Sequence, residues 1–503
     1  MALGAAALGI AAFCGPVSAL PPGIPLLDLR PRPPLRAGPG HGYLTPEPAM
    51  LRALRPDVRI QAILTVGDTL AASAPGAEPY TLAPLPEAVG LLERDGRTAE
   101  ALLTHGLGWR PGYGGSRVSR LLLDRANGGV LAADEILDGS EGYSRLGAAV
   151  MAGTREGFLR PQLLINEATS LGPRRGVVAA IDSRDGTVRD LPWLGRFPHG
   201  ATVAIALSTG RLAAVMTGLD DEAQGSRLYL YLAEGDADFL EGRGTLHVFR
   251  ADAGPGGRPL RNPAAIRKMD VVTGRFVPVR AADPDEPLAW AEAAGRAGAF
   301  PFVRLGGAVP DRGRPNAFYF ADRGESGLRD FFAARPYTGN GRIYHAELDP
   351  FDPTRVSELR VVLDGDEGDD LYRPDDLATD GDVLMIQEDP DEQRGLHPAR
   401  VLRYDIESRR LDAIAACAER DSRGRLLPDG VGGAWASSGI CDAGDVFGED
   451  SWLVVVQART LEQRVLGRKE SAGQLLLVRG PRWKPPREQT RLKPDPASSG
   501  GDQ

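Results

Sequence analysis

The chain has 503 residues, of which 42% are hydrophobic and 25% charged, and these proportions exclude collagen-like, coiled-coil and wholly disordered classes. The formal charge of −9 is spread along the chain rather than collected in one segment. This distribution favours neither a nucleic-acid partner nor an anionic lipid surface. The 63 glycines and 41 prolines predict many turns, which favours short strands over long helices.

Residues 1–19 are predicted to be a signal peptide for export. The segment consists of apolar and small residues and closes in Val17-Ser-Ala19, which fits a signal-peptidase site. A short hydrophobic anchor is the alternative, but Gly and Ala dominate the run, and a membrane span needs ~20 strongly apolar residues. We therefore expect a periplasmic or secreted protein with no membrane span in the mature chain.

The two ends of the mature chain differ in composition from its centre. Residues 20–55 are predicted to form an extended N-terminal arm, because Arg30–Pro48 is rich in Pro, Gly and Arg. Residues 481–503 are predicted to be a disordered tail, because they carry Pro, Lys, Ser and Gly with almost no apolar residues. The folded domain then spans residues 56–480. It contains Cys417 and Cys441, which either form a disulfide in an oxidising compartment or remain two buried thiols.

Between these ends, alternating apolar positions predict a series of strands. One strand type comprises Gly176–Asp182, Arg227–Leu232, Gly244–Arg250, Gly341–Glu347, Ala399–Asp405 and Gly473–Val478. A second type precedes members of the first, at Arg211–Met216, Asp382–Ile386 and Ser451–Val456. Helix candidates are Pro86–Glu93, Pro287–Ala297 and Leu328–Ala334. The two alternating strand types predict an all-β fold, a β-propeller of six irregular blades with inserted loops and a few short helices; a pair of β-sandwich domains is the alternative.

Short motifs in a fixed order run along nearly the whole mature chain. They include Leu64-Thr-Val-Gly-Asp68, Leu103 to Asp124, Gly195-Arg-Phe197, Leu228-Tyr-Leu-Tyr231, Tyr372-Arg-Pro-Asp-Asp376, Ile386-Gln-Glu-Asp-Pro390 and Ser437-Ser-Gly439. In this order they resemble the secreted PhoX-like alkaline phosphatase family. The resemblance implies a six-bladed β-propeller that holds calcium and iron in its central channel and hydrolyses a small phosphoester.

The resemblance also assigns residues to the site. The metal-ligating carboxylates would be Glu167, Asp220, Asp221, Asp375, Asp376, Glu388 and Asp389. Hard cations bind clustered carboxylate oxygens, and bound metal ions polarise phosphoryl oxygens. Catalytic contacts would come from Arg373, His105 and His199, since the planar guanidinium of an arginine matches two phosphoryl oxygens.

The chain departs from the family pattern at several of these positions. Gly106, Ala168, Gly200 and Ala436 stand where the family has glutamate. Each retained acid also has a structural alternative, such as a turn or the end of a strand, and the acidic segment Asp364–Asp370 is a calcium-like loop only by composition.

Two hypotheses remain open from the sequence. One is an exported metal-dependent phosphatase with an altered ligand set. The other is a catalytically degenerate propeller that binds a ligand or a protein. Motifs of serine hydrolases, P-loop proteins, dinucleotide-binding proteins and His-Glu-x-x-His metalloproteases are missing from the sequence.

Overall fold

The structure is a computed structural model that describes residues 28–29, 42–72, 78–219, 225–252, 254, 260, 262–324, 339–390, 397–420, 425–427 and 433–480. Most of these residues lie in strands. The α-helices are short: α1 (Asp236–Leu240), α2 (Pro287–Arg296) and α3 (Gly444–Phe447). Single 3₁₀ turns occur at Thr154–Glu156, Pro192–Leu194 and Pro263–Ala265. None of the helices in the described ranges is long and apolar enough to cross a membrane.

The strands form antiparallel meanders of four strands each. The first strands of the chain are β1 (Asp28–Leu29), β2 (Leu51–Ala53), β3 (Arg59–Thr65), β4 (Thr69–Leu70) and β5 (Tyr80–Thr81). The first meander is β6 (Pro86–Glu93), β7 (Thr98–His105), β8 (Arg117–Asp124) and β9 (Val130–Leu137). The second is β10 (Leu146–Ala152), β11 (Gln162–Glu167), β12 (Val178–Asp182) and β13 (Val188–Asp190). The third is β14 (His199–Ala206), β15 (Leu212–Gly218), β16 (Arg227–Ala233) and β17 (Gly244–Ala251).

The same pattern continues to the end of the described chain, after the connecting strand β18 (Val272–Pro278). The fourth meander is β19 (Leu305–Pro310), β20 (Ala317–Asp322), β21 (Arg342–Leu348) and β22 (Arg355–Asp364). The fifth is β23 (Pro374–Thr379), β24 (Val383–Glu388), β25 (Arg400–Asp405) and β26 (Arg410–Cys417). The sixth consists of β27 (Ala436–Asp442), β28 (Ser451–Val465), β29 (Arg468–Arg479) and the early strand β3, which pairs with β29.

The first strands of the meanders form a closed ring. Each contacts the first strand of the next meander, in the order β6, β10, β14, β19, β23 and β27, and β27 contacts β6 again. A closed ring of antiparallel meanders is a β-propeller, so the all-β propeller fold predicted from the sequence is confirmed and the β-sandwich alternative is wrong. Because β3 completes the sixth meander, the two ends of the folded region meet in one sheet.

The core lies between neighbouring meanders. Every residue of β16 is buried, since this strand is covered on both faces. Leu228, Leu230 and Leu232 pack in one hydrophobic cluster, whereas Tyr229 and Tyr231 pack in the next one. Successive side chains of a strand point to opposite faces, so one strand contributes to two cores. This explains why the central strands are almost wholly apolar.

The third and fourth meanders share a single sheet of nine strands. The connecting strand β18 pairs with β17 on one side and with β22 on the other, which joins the outer edges of the two meanders. Phe276 and Val272 of β18 point into the hydrophobic cluster between them. β18 therefore covers the outer edge of the third meander at β17 and that of the fourth meander at β22, which would otherwise be exposed.

All strands named in the sequence analysis occur, most of them within two residues of their predicted bounds. The last two are longer than predicted, since β28 continues to Val465 and β29 begins at Arg468. The helix predicted at Pro287–Ala297 is confirmed as α2. The helix predicted at Pro86–Glu93 is wrong, because this segment is strand β6 of the central ring. The helix predicted at Leu328–Ala334, the predicted signal peptide and the predicted C-terminal tail lie outside the described residues.

Part of the predicted N-terminal arm lies against the propeller, since β1 pairs with β13 and β2 pairs with β26.

Cys417 and Cys441 are both free thiols, and burial raises the pKa of each. Of the two alternatives left open for these cysteines, the structure therefore has the thiols.

Candidate functional site

Each first strand of the ring carries an irregularity soon after it begins. The register shifts between Pro86 and Val89 and at the corresponding place in the other five first strands. Such bulges redirect side chains and are frequent beside functional sites. We call the bulge residues the bulge ring: Glu87–Ala88, Gly147–Ala148, Gly200–Ala201, Gly306–Gly307, Asp375–Asp376 and Gly439.

The bulge ring is tightly closed around the channel. A Cβ added to Gly439 would lie 2.0 Å from the carbonyl oxygen of Glu87, and one added to Gly306 would lie 2.6 Å from Oδ1 of Asp375. Glycine at these places lets the neighbouring strands approach. Glu87, Asp375 and Asp376 are the carboxylates of the ring, whereas its other members are glycine or alanine.

Polar side chains from the second strands support the ring from behind. They are Thr104, Asn166, Thr217, Gln387 and Gln457. The Thr104 hydroxyl accepts from the Ala88 N–H, Asn166 donates to the Ala148 carbonyl, Thr217 to that of Gly306, and Gln457 to that of Pro86. Gln387 donates to the Ser437 hydroxyl, next to the last bulge. The ring is thus positioned by hydrogen bonds to its backbone, which would otherwise lack partners inside the channel.

The carboxyl groups of the ring are held in different surroundings. Oδ2 of Asp376 accepts a hydrogen bond of 2.8 Å from the Gly439 N–H. Asp375 lies 3.4 Å from the guanidinium of Arg323. Burial raises the pKa of Glu87 to about 8 and, with the nearby charge of Asp375, that of Asp376 to about 7. At neutral pH the ring therefore contains carboxyl groups that are partly protonated, so they donate as well as accept hydrogen bonds.

Asp389 belongs to an ion-pair group next to the ring. It forms two parallel hydrogen bonds with Arg459, of 2.7 and 2.8 Å, and a further contact of 3.0 Å with Arg323. Arg323 therefore bridges Asp375 and Asp389. Such bidentate pairs are geometrically specific, and both oxygens of Asp389 contact guanidinium groups.

Other site residues predicted from the sequence occupy one repeated position, the last residue of a second strand. Glu167 accepts backbone N–H groups from Ser144, Gly176 and Val177, at 2.7 to 3.0 Å. Ser144 belongs to the loop that leads into the first strand of the same meander. Burial raises the pKa of Glu167 to about 7.

Glu388 holds the corresponding loop of the fifth meander. It accepts from the Tyr372 N–H at 3.0 Å and pairs with Arg400 at 2.7 and 2.9 Å. In the fourth meander Asp322, which the sequence motifs did not single out, accepts from Val303 and Arg304 in the same way. Three acids from three meanders thus bind the backbone of their own lead-in loops.

His105 takes this place in the first meander. Its Nδ1 lies 3.1 Å from the carbonyl oxygen of Pro84, to which it donates, and its Nε2 accepts from Ser119 at 2.8 Å. Burial lowers the pKa of His105 to about 4, which is consistent with a neutral ring. The side chain is fully buried and binds the lead-in loop as Glu167 does.

His199 and Arg373 are also buried. His199 begins β14, lies 3.2 Å from the carbonyl oxygen of Gly195 and stacks on Phe197, and burial lowers its pKa to about 4. Arg373 has a left-handed backbone with φ of 49° and donates to the Pro390 carbonyl at 2.9 Å.

Among the predicted metal ligands, the structure brings Asp375, Asp376 and Asp389 together. It places Glu167 and Glu388 at the ends of β11 and β24, where they bind separate lead-in loops. Asp220 and Asp221 lie outside the described residues. Within the described ranges, no three Asp, Glu, His or Cys side chains are arranged so that they could hold one metal ion. The donor set seen here does not fit a calcium and iron centre, because Glu167, Glu388 and Asp389 bind N–H and guanidinium donors of the protein. The metal roles stay predictions from the resemblance.

The acidic segment Asp364–Asp370 is likewise held by the protein. Asp369 pairs with Lys268 at 2.6 Å, Asp366 accepts from the backbone of Gly339 and Asn340, and Asp370 pairs with Arg400 at 2.8 Å. These contacts favour the acidic-loop interpretation over a calcium loop.

Sequence reasoning missed Glu87, Arg323 and Arg459. Glu87 lies in the segment that local sequence preference predicts to be a helix, and its place in β6 could be found only by aligning the starts of the six first strands. Arg323 follows the end of β20, and Arg459 lies within β28. Their roles depend on contacts between different meanders, which spacing along the chain does not reveal.

Comparison with known proteins supports the fold. No protein-family model and no curated protein matches the sequence. Pseudomonas fluorescens PhoX in complex with vanadate, a transition state analogue, has a similar structure, with a TM-score of 0.63 and 14% identity over 87% of this chain and 97% of that chain. Trypanosoma rangeli sialidase with the inhibitor DANA (TM-score 0.40, 10% identity, 85% and 60% covered) and a Fusarium graminearum α-L-arabinofuranosidase with arabinobiose (TM-score 0.36, 9% identity, 78% and 92% covered) are more distant. At such identities the likeness concerns the fold, which is PhoX-like.

Proposed function

We propose that this protein is an exported, degenerate PhoX-like propeller that binds a small ligand at the bulge ring and does not hydrolyse phosphomonoesters through bound calcium and iron. The observation that carries the proposal is the shared role of Glu167, Asp322 and Glu388, whose oxygens bind backbone N–H groups of lead-in loops. A carboxylate that holds its own loop in this way has few lone pairs left for a metal ion.

The groups around the ring favour a ligand that forms hydrogen bonds. Arg323 and Arg459 pair with Asp375 and Asp389, so these charges largely compensate one another. Glu87 and Asp376 are partly protonated at neutral pH, so their carboxyl groups donate as well as accept hydrogen bonds. A polar ligand with both donors and acceptors would be complementary to such a ring.

Elemental composition and a phosphatase assay test this proposal together. The purified protein would be measured for calcium and iron and assayed with p-nitrophenyl phosphate, with and without chelator. We expect no stoichiometric metal and no turnover that chelator removes. Asp376→Asn and the loop carboxylate variant Glu167→Gln should behave as the unchanged protein does in this assay. Bound metal with chelator-sensitive turnover, lost in Glu167→Gln, would overturn the proposal.

Metal-dependent phosphomonoester hydrolysis is the second candidate. It is favoured by the convergence of Glu87, Asp375 and Asp376 in one channel of a PhoX-like fold. If this candidate is right, the same assay shows chelator-sensitive turnover, and Asp375→Asn and Asp376→Asn abolish it. The two candidates therefore predict opposite results from one preparation.

A further inference from the structure

A layer of repeated backbone hydrogen bonds lies where the first strands begin, on the face of the propeller that we call the front face. In five meanders the residue after the second strand donates its N–H to the carbonyl oxygen of the residue before the first strand, at 2.8 to 3.0 Å. We call these ten residues the front layer: Gly106 with Leu85, Ala168 with Arg145, Leu219 with Pro198, Arg323 with Arg304, and Asp389 with Arg373. Along each of these first strands the bulge ring begins two residues further on, at a distance of about 7 Å.

The front layer is more accessible on one side than on the other. In the first three meanders all six of its residues keep exposed surface, and Arg145 of the second meander is fully in the exposed class. In the fifth meander Arg373 and Asp389 are buried. A ligand that approaches the front face therefore meets the layer at the first three meanders, with Arg145 at their centre.

The front layer carries more cations than carboxylates. Its charged members are four arginines and one acid: Arg145, Arg304, Arg323, Arg373 and Asp389. Arg323 and the neighbouring Arg459 pair with Asp389 and with Asp375 of the bulge ring, at 2.7 to 3.4 Å. Two guanidinium groups thus compensate two carboxylates, and the positive charge of the other three arginines remains.

The other acids near the layer do not cancel this positive charge. Glu87 and Asp376 of the bulge ring are partly protonated at neutral pH. Glu167, Asp322 and Glu388 stand one position before the layer, and each accepts N–H groups of its own lead-in loop. The region therefore favours a ligand with an anionic group.

Arg145 is placed to bind that group. Its backbone has a left-handed conformation, with φ of 50°, and is held on both sides, since its N–H donates to the Leu107 carbonyl and its carbonyl accepts from Ala168. Within the part of the chain that the structure describes, its guanidinium forms no ion pair and no hydrogen bond. A guanidinium of this kind matches the two oxygens of one carboxylate.

We propose that the front entrance binds a hydroxylated carboxylate, the chemical class of the uronic acids. Arg145 binds the carboxylate, and the bulge ring, about 7 Å further into the channel, exchanges hydrogen bonds with the hydroxyl groups of the same molecule. One monosaccharide-sized ligand spans both groups. This inference deepens the proposed function and rests on it, because it names the class of ligand that the ring would bind.

The experiment measures binding of sugars by calorimetry, in the full chain treated with chelator. D-galacturonate and D-glucuronate are compared with D-galactose and D-glucose, which have a hydroxymethyl group in place of the carboxylate. Acetate tests the charge without the hydroxyl groups, and D-galactose 6-phosphate tests a phosphate in place of the carboxylate. We expect a uronate to bind at least tenfold more tightly than its neutral counterpart, than acetate and than the sugar phosphate.

Arg145→Gln removes the charge from an exposed side chain and should lower uronate affinity at least tenfold, to the level of the neutral sugar. The matched control is Arg110→Gln. Arg110 is 66% exposed, lies four residues after Gly106 and is outside the front layer. This control should bind uronates as the unchanged protein does.

Several results would overturn the inference. If neither uronate binds, or if the neutral sugars bind equally well, the front entrance does not select a carboxylate. If acetate or the sugar phosphate binds as tightly as a uronate, the class of ligand is wrong. If Arg145→Gln keeps the preference, or Arg110→Gln loses it equally, Arg145 is not the binding residue. Failure of the proposed function would be seen differently, as chelator-sensitive phosphatase turnover, so the two failures are distinguishable.

Discussion

At the scale of single residues, the same side chain type serves as a metal ligand in one setting and as a loop anchor in another. The sequence predicts Glu167 and Glu388 to be metal ligands, because each stands at the end of an apolar strand and matches a family motif. In the structure they accept hydrogen bonds from lead-in loops, as Asp322 does without any motif. A buried carboxylate needs such partners, since its desolvation is otherwise very unfavourable.

The equivalence of these acids leads to a paired prediction. Glu167→Gln and Asp322→Asn each replace one accepting oxygen by an NH₂ group that faces backbone donors. We expect both variants to lose about 1–3 kcal/mol of unfolding free energy, measured by denaturant titration, with no change in metal content. A metal role for Glu167 predicts instead that only Glu167→Gln releases calcium, and that result would favour the phosphatase.

His105 allows a pH test of its structural role. Its folded-state pKa of about 4 lies below the ordinary value of 6.5, so the unfolded chain binds more protons between these values. Stability due to the neutral ring is present above about pH 6.5 and is lost as pH falls toward 4. We expect His105→Asn, which keeps a donor for Pro84, to be less stable than the unchanged protein at neutral pH. The difference in melting temperature should narrow on acidification; a difference that stays constant would contradict the assignment.

At the scale of elements, the sequence predicted outer strands better than the strands of the ring. Arg227–Ala233 alternates between two cores and is buried throughout, so its pattern is strong. Pro86–Glu93 has Pro first and then Glu, Ala and Leu, which favour helices, yet it pairs with β7 and lines the channel. Contacts between meanders outweigh its local preference, and for the same reason Glu87 was missed as a site residue.

The bulge of β27 gives a prediction about close approach. Gly439 has φ of 68° and would place a Cβ 2.0 Å from the Glu87 carbonyl oxygen. Gly467 has φ of 76° with nothing within 4 Å of such a Cβ, so Gly467→Ala measures the backbone strain alone, about 1–2 kcal/mol. We expect Gly439→Ala to reduce the unfolding free energy by clearly more than this control. Equal losses in denaturant titration would mean that the ring is less tightly closed than described.

Strand β18 should couple the third and fourth meanders. Phe276 is buried between them, and Phe276→Ala should reduce stability by about 3–5 kcal/mol. We expect faster amide hydrogen exchange in both β17 and β22, because β18 pairs with each. Arg275→Ala, on the exposed face of the same strand, is the control and should change neither. Faster exchange in β17 alone would show that the two meanders are not coupled.

At the scale of the whole molecule, the all-β propeller class was predicted from the sequence, but the strands that form its central ring were not. The ring depends on β3 pairing with β29 across the length of the chain, and on small bulge residues that let the first strands approach. Those contacts join residues far apart in sequence, and short motifs carry no record of them. The motif order nevertheless indicated the PhoX-like fold, which the structure supports.

The whole-molecule view also separates fold from chemistry. In this PhoX-like fold, N–H and guanidinium donors of the protein bind Glu167, Glu388 and Asp389, three of the carboxylates that the family resemblance assigns to metal ions. Function must therefore be argued from the site rather than from the fold.

The most direct test is thermal unfolding of the chelator-treated protein, with and without added calcium. A ligand that binds only the folded state stabilises it by about 2.7 kcal/mol at a hundredfold excess over Kd. We expect no change in melting temperature, because the protein's own N–H and guanidinium groups already hold Glu167, Glu388 and Asp389. A rise in melting temperature that saturates with calcium, and that Glu167→Gln removes, would contradict this and restore the metal centre.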